Sequence, residues 1–211
     1  MERGTCAMNH RAPLIELDHV EKRYGRERVV AVESLVLNLG ECVLITGANG
    51  SGKSTLLRLL AGVSRPDRGR VRRSPSATLG YVPQSGGLYP ELSIRANLEL
   101  RRRLWNRDPM QPESAWYIRD LGLDSLLAKT PSELSGGFYR LAAVAAALHA
   151  EPEWLFLDEP FSGLDPERRK RLNAGLQDLA ASLDLLVISA PNLGELEGAT
   201  RTLRMESGQL Q

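Results

Sequence analysis

The residues with the clearest chemical potential form one run, Gly47-Ala48-Asn49-Gly50-Ser51-Gly52-Lys53-Ser54-Thr55. A glycine, four residues, then Gly-Lys-Ser is the spacing of a phosphate-binding P-loop. A backbone that wraps a polyphosphate must turn successive N–H groups inward, which Gly and small residues permit, and a following helix adds its positive end. Lys53 then supplies an ammonium for the β- and γ-phosphates. Ser54 offers a hydroxyl oxygen to magnesium, and Thr55 a donor to the α-phosphate. The chemistry this set fits is binding of ATP with Mg2+.

A second set lies at the end of an apolar run, Trp154-Leu155-Phe156-Leu157-Asp158-Glu159. Carboxylates at the carboxyl end of a central strand emerge beside a P-loop. Adjacent acids need separate roles: Asp158 to hold magnesium, Glu159 to polarise the water that attacks the γ-phosphate. A third set, Leu134-Ser135-Gly136-Gly137, precedes an Ala-rich segment. Its hydroxyl and N–H groups can form another anion site at a helix N-terminus, one that makes sense serving the nucleotide of a neighbouring copy. Tyr24, an aromatic before the P-loop strand, can stack on adenine; taken alone, it reads as ordinary packing.

These residues need elements that hold them. Leu14 to Tyr24 and Val29 to Leu39 alternate apolar and polar residues across a turn at Gly25, which predicts an antiparallel strand pair. Cys42 to Ile45, Trp154 to Leu157 and Leu185 to Ile188 are short continuous apolar runs, the mark of strands covered on both faces. Thr78 to Pro83 reads as a further strand. Helical spacing covers Lys53 to Ala61, Ile94 to Trp105, Glu113 to Leu121 and Gly136 to His149. Asp165-Pro166-Glu167 then opens a helix to about Ser182, with Pro at the first position and acid in the first turn. The fold class expected is α/β: a mostly parallel P-loop core with flanking helices, an antiparallel β-subdomain at the start, and a helical subdomain inserted over about 85–150. The expected organisation is one domain over 1–211.

Composition narrows the partners. With 27 Lys and Arg against 26 Asp and Glu, the net charge of +1 gives no global field for nucleic acid or acidic lipid. The basic runs Arg65 to Arg73, Arg101 to Arg103 and Arg168 to Arg171 have few interleaved aromatics and read as solvated loops or helix faces, so no nucleic-acid partner is expected. Cys6 and Cys42 are the two cysteines, which fits a reducing compartment rather than a disulfide framework. Met1 to Arg11 has no apolar core of a signal peptide, and the longest apolar stretch, Leu141 to Leu148, is too short to span a bilayer.

From Leu14 to Gly208 the chain resembles the nucleotide-binding subunit of ABC transporters, in a compact exporter-like form. Tyr81-Val82-Pro83-Gln84 is similar to that family's Q-loop, Leu134 to Gly137 to its signature, Leu155 to Glu159 to its Walker B strand, and Ser162-Gly163-Leu164-Asp165 to its D-loop. The resemblance implies Tyr24 as the adenine-stacking aromatic, Gln84 as a magnesium and water sensor, and Ser135, Gly136 and Gly137 as γ-phosphate donors acting across a dimer. It implies a second ATPase subunit, like or unlike, and a separate membrane permease. The location implied is cytoplasmic, at the inner face of the membrane. Two departures stand out. Phe138 follows the signature glycines where the family usually has Gln or another polar residue, and the family's switch His is missing: Ile188-Ser189-Ala190-Pro191-Asn192 has Ala190 or Pro191 there, and no His follows His149. Hydrolysis slowed by that loss, a binding-only clamp paired with an unlike subunit, and a soluble ABC-type ATPase without a permease are the alternatives.

Overall fold

The computed structural model describes residues 13–75 and 77–211; Cys6 and Met1 to Arg11 lie outside them. The N-terminal hairpin pairs β1 (Pro13–Tyr24) with β2 (Glu27–Asn38) in antiparallel register. The chain continues through β3 (Glu41–Thr46), α1 (Lys53–Leu60), β4 (Arg68–Arg73) and β5 (Leu79–Val82). Helices α2 (Ile94–Leu104), α3 (Trp116–Arg119) and α4 (Gly136–His149), with short 3-10 turns between them, separate β5 from β6 (Trp154–Asp158). Then come α5 (Pro166–Ala180), β7 (Leu185–Ala190), β8 (Arg201–Glu206) and β9 (Gln209–Leu210).

The nine strands of the described residues form one sheet in the order β4-β1-β2-β9-β8-β3-β7-β6-β5. From β8 to β5 the neighbours are parallel, while β1, β2 and β4 are antiparallel. The period-2 alternation of side chains divides the core into two. Leu44, Leu155, Leu157, Leu186 and Ile188 face the layer of α2, α4 and α5. Val43, Ile45, Trp154, Phe156 and Val187 face α1 and the N-terminal strands. Because helices or strands cover both faces, β3, β6 and β7 carry near-continuous apolar sequence, and each fully buried large side chain contributes about 1.5–3 kcal/mol. Cys42 sits inside this core, where burial pushes its thiol pKa up, and behaves as a small apolar residue.

Three expectations need correction. The run Arg65 to Arg73 contains strand β4, not a loop or helix face; paired to β1, it places Arg72 3.5 Å from Glu16 and buries part of Arg73, which donates to the Leu59 and Leu60 carbonyls. The charged edge discourages pairing with another chain. Arg102 is not solvated: it is 6% exposed, donating to the His149 and Asp108 carbonyls and to Glu151. The segment Glu113 to Leu121 is a 3-10 turn, Pro112–Ser114, followed by the single turn of α3.

Candidate functional site

Helix α1 starts straight out of the glycine run. Gly52, its N-cap, is left-handed with φ 103°, and no side chain caps the helix. Among the described helices of eight residues or more, α2 is capped by Ser93 and α5 by Asp165, whereas α1 and α4 have no side-chain cap. The two helices with uncapped starts are the two whose first turns read as phosphate donors. Their N–H groups keep both their hydrogen-bonding capacity and the positive end of the dipole.

Tertiary packing explains two of the glycines. A Cβ on Gly47 would lie 2.2 Å from the Met205 carbonyl oxygen of β8, and one on Gly52 would lie 2.6 Å from the Val29 carbonyl oxygen of β2. The loop is therefore clamped between two strands that approach its backbone directly. Within the loop Ser51 is buried, and its Oγ has no partner among the described residues.

Lys53, only 4% exposed, donates to the Gly47 carbonyl (2.9 Å) and the Ala48 carbonyl (3.1 Å), and its Nζ lies 3.6 Å from Glu159 Oε1. Gln84 Nε2 donates to Glu159 Oε2 at 3.1 Å. Glu159 is held in the left-handed region, φ 50°, uncommon for a residue with a side chain. Its N–H donates to both the carbonyl and the Oγ of Ser189, each at 3.1 Å. Asp158 is fully buried at the end of β6. Ser54 Oγ (3.0 Å) and Ser189 Oγ (2.5 Å) both donate to its Oδ1, while Oδ2 has no partner among the described residues. A buried carboxylate with one unpartnered oxygen, hydrogen-bonded to a serine hydroxyl, is a hard oxygen donor set of the kind magnesium takes. A cavity of 290 Å3 is lined by Asn49, Gly50, Gly52, Lys53, Ser54, Thr55, Gln84 and Glu159, with Val29 on its wall.

The sequence matches the ABC transporter family over residues 32–162. The chain belongs to the ABC transporter ATP-binding family. It is 36% identical over 189 residues to the Fe(3+) ions import ATP-binding protein FbpC of Pseudomonas fluorescens, covering 82% of this chain and 53% of that protein. It is 35% identical over 198 residues to the Nod factor export ATP-binding protein I of Paraburkholderia xenovorans, covering 87% and 64%. The chain thus spans between about half and two thirds of the length of these relatives. Among solved structures, a dimeric bacterial ABC transporter cassette superposes with a TM-score of 0.81 at 25% identity, covering 94% of this chain and 97% of that one.

Other residues singled out from the sequence lie away from the cavity. Tyr24, at the end of β1, is 48% exposed, with Lys22 Nζ 5.8 Å from its ring centroid and its hydroxyl facing Arg58 of α1. Ser135, Gly136 and Gly137 do not line the P-loop cavity of their own chain. Ser135 and Gly136 are exposed, and a Cβ on Gly137 would lie 3.3 Å from the Gly163 carbonyl of the D-loop segment. The first turns of α4 also touch the Q-loop segment: Arg140 donates to the Gln84 carbonyl at 2.6 Å.

The departures have clear positions. Ala190, the last residue of β7, is fully buried beside Thr46, whereas Pro191 is exposed and lines a 580 Å3 cavity against Thr46 to Ser51. Phe138 lies under the guanidinium of Arg168, 4.1 Å from Cζ to ring centroid. Beyond Gln84, Leu88 is turned into the core and Tyr89 is 48% exposed. Ser189 escaped the sequence reading because a serine ending an apolar strand carries no local signal; only the pairing of β6 with β7 brings it to Asp158.

Proposed function

We propose that this chain binds ATP with magnesium at the P-loop, hydrolyses it through Glu159, and uses the cycle to drive a separate membrane permease from the cytoplasmic face. One observation carries the reading: Lys53, Ser54, Glu159 and Gln84, drawn from separate segments of the chain, line one cavity at the start of an uncapped helix, and buried Asp158 is hydrogen-bonded to Ser54 behind it. Ser54 and Asp158 would hold magnesium, with Gln84 beside them. Magnesium, when bound, would neutralise charge on the β- and γ-phosphate oxygens. Gly47, Ala48, Asn49, Gly50, Ser51 and Gly52 would cradle the phosphates through backbone N–H groups, with Lys53 and Thr55 adding side-chain donors. Tyr24 would stack on the base. Glu159, held between Lys53 and Gln84, is positioned to accept a proton from the attacking water.

Ser135 and Gly136 are exposed, Gly137 is half-buried, and all three lie off their own cavity at an uncapped helix start, which supports their acting on the nucleotide of a second subunit. Among the described residues no helix is long and apolar enough to cross a membrane, which fits a permease supplied by another chain. The absent switch His favours a second reading, an ATP-binding clamp with little turnover of its own. The paired placement of Asp158 and Glu159 supports hydrolysis over it.

Nucleotide binding and single-turnover hydrolysis test the reading. Lys53→Ala is expected to abolish ATP binding or turnover. Glu159→Gln should still bind ATP, lose about 100- to 10,000-fold in hydrolysis, and hold the ATP-bound dimer closed. Near-wild-type turnover in either variant would refute it.

A further inference from the structure

Ser189 is fully buried next to the end of β7, the middle strand of the sheet's parallel half, before the segment that lacks the family's His. Nothing about its own strand explains its polarity, since the other residues of β7 are apolar: Leu185, Leu186, Val187, Ile188 and Ala190. Its hydroxyl makes two contacts at once. It donates to Asp158 Oδ1 at 2.5 Å and accepts from the Glu159 N–H at 3.1 Å. We propose that Ser189 is a positioning residue for both acids of the site: with Ser54 it fixes the Asp158 carboxylate beside the Ser54 hydroxyl, in the orientation magnesium would meet, and it holds Glu159 in its left-handed backbone conformation.

The physical argument rests on donor count. A carboxylate held by one hydroxyl can still turn about its Cβ–Cγ bond; two hydroxyls on the same oxygen from opposite segments, α1 and β7, remove that freedom. Orientation of this kind by an outer partner is what tunes metal ligands, and its loss typically costs about 10- to 100-fold in metal affinity or activity. The second contact acts on backbone strain. A non-glycine residue at φ 50° persists only where its surroundings over-determine it, and the Ser189 hydroxyl is one of two acceptors that fix the Glu159 N–H. The inference rests on the magnesium–ATP reading of the site.

The test titrates ATP calorimetrically into the full chain, with EDTA or with magnesium chloride, for wild type, Ser189→Ala and Ser189→Thr. Ser189→Ala should keep its affinity for ATP in EDTA, because the P-loop amides are untouched, and lose about tenfold or more of the gain that magnesium confers. Its kcat should fall and its KM for ATP in the presence of magnesium should rise, and Ser189→Thr, which keeps the hydroxyl, should restore both. Should Ser189→Ala fail to fold, Ser189→Cys, with a weak donor of similar shape, carries the same comparison. An undiminished magnesium gain in the Ala or Cys variant, a Thr variant as impaired as Ala, or equal losses with and without magnesium would each overturn the proposal. Wild-type protein that bound no ATP under either condition would instead refute the reading beneath it.

Discussion

Acidification should unfold this protein partly through one histidine. His149 ends α4, the helix that begins at the signature segment, and it is fully buried. Tyr117 OH lies 2.8 Å from its Nδ1; the Arg102 guanidinium and Glu151 face it from α2 and the turn after α4, with the Met110 backbone alongside. Burial, reinforced by Arg102 and opposed by Glu151, depresses its pKa from the ordinary 6.5 to about 4. Burial likewise pushes the Tyr117 hydroxyl up, which keeps it a neutral donor throughout. An unfolded chain takes up this proton near pH 6.5 and the folded chain near pH 4. The contribution to stability is therefore complete above about 6.5 and is lost as pH falls towards 4. About 2.5 pH units at about 1.4 kcal/mol each is roughly 3 kcal/mol, a large share of the stability of a domain. Urea unfolding at intervals from pH 7.5 to pH 4 compares wild type with His149→Gln and with the double variant His149→Phe/Tyr117→Phe. Each variant will shift absolute stability, but both should lose about 3 kcal/mol less than wild type across that window. Parallel profiles, or a His149 resonance titrating near 6.5, would refute the argument.

Two further outcomes follow from packing. A Cβ on Gly175 would lie 2.0 Å from the Trp116 ring, so Gly175→Ala should displace the indole from the face of α5 and lower stability by about 1–3 kcal/mol, read by thermal unfolding; an unchanged midpoint would mean the ring moves freely. The Phe138–Arg168 stack ties the signature helix to the start of α5, so Arg168→Ala in a Glu159→Gln background should weaken ATP-dependent dimerisation about two- to fivefold by sedimentation velocity, the worth of an exposed cation–π contact of about 0.5–1 kcal/mol; equal dimer affinity would show the stack to be idle.

The local features were legible in the chain because local chemistry dictates them. A glycine run before Lys53 must turn, three short apolar runs must be covered on both faces, and Asp165-Pro166 must start a helix, whatever the rest of the molecule does. The P-loop, the two acids and the alternation of strands with helices follow from such signals. What tertiary structure alone decided is how distant segments share space. The closeness of β8 and β2 to Gly47 and Gly52 depends on backbone atoms of Met205 and Val29, which no side-chain pattern announces. Strand β4 is all arginine, glycine and a single valine, so it lacks an apolar stripe and exists because β1 offers it an edge. Arg102 reads as one charge in a basic run, yet the His149 and Asp108 carbonyls and the Glu151 carboxylate gather around it and make its burial tolerable. Ser189 shows the same division at the site itself: a hydroxyl at the end of an apolar strand has no meaning in sequence, and acquires one only when parallel pairing with β6 sets it against Asp158. Periodicity specifies which face of an element is apolar; the partner that meets a buried polar group is fixed by the packing of the whole chain.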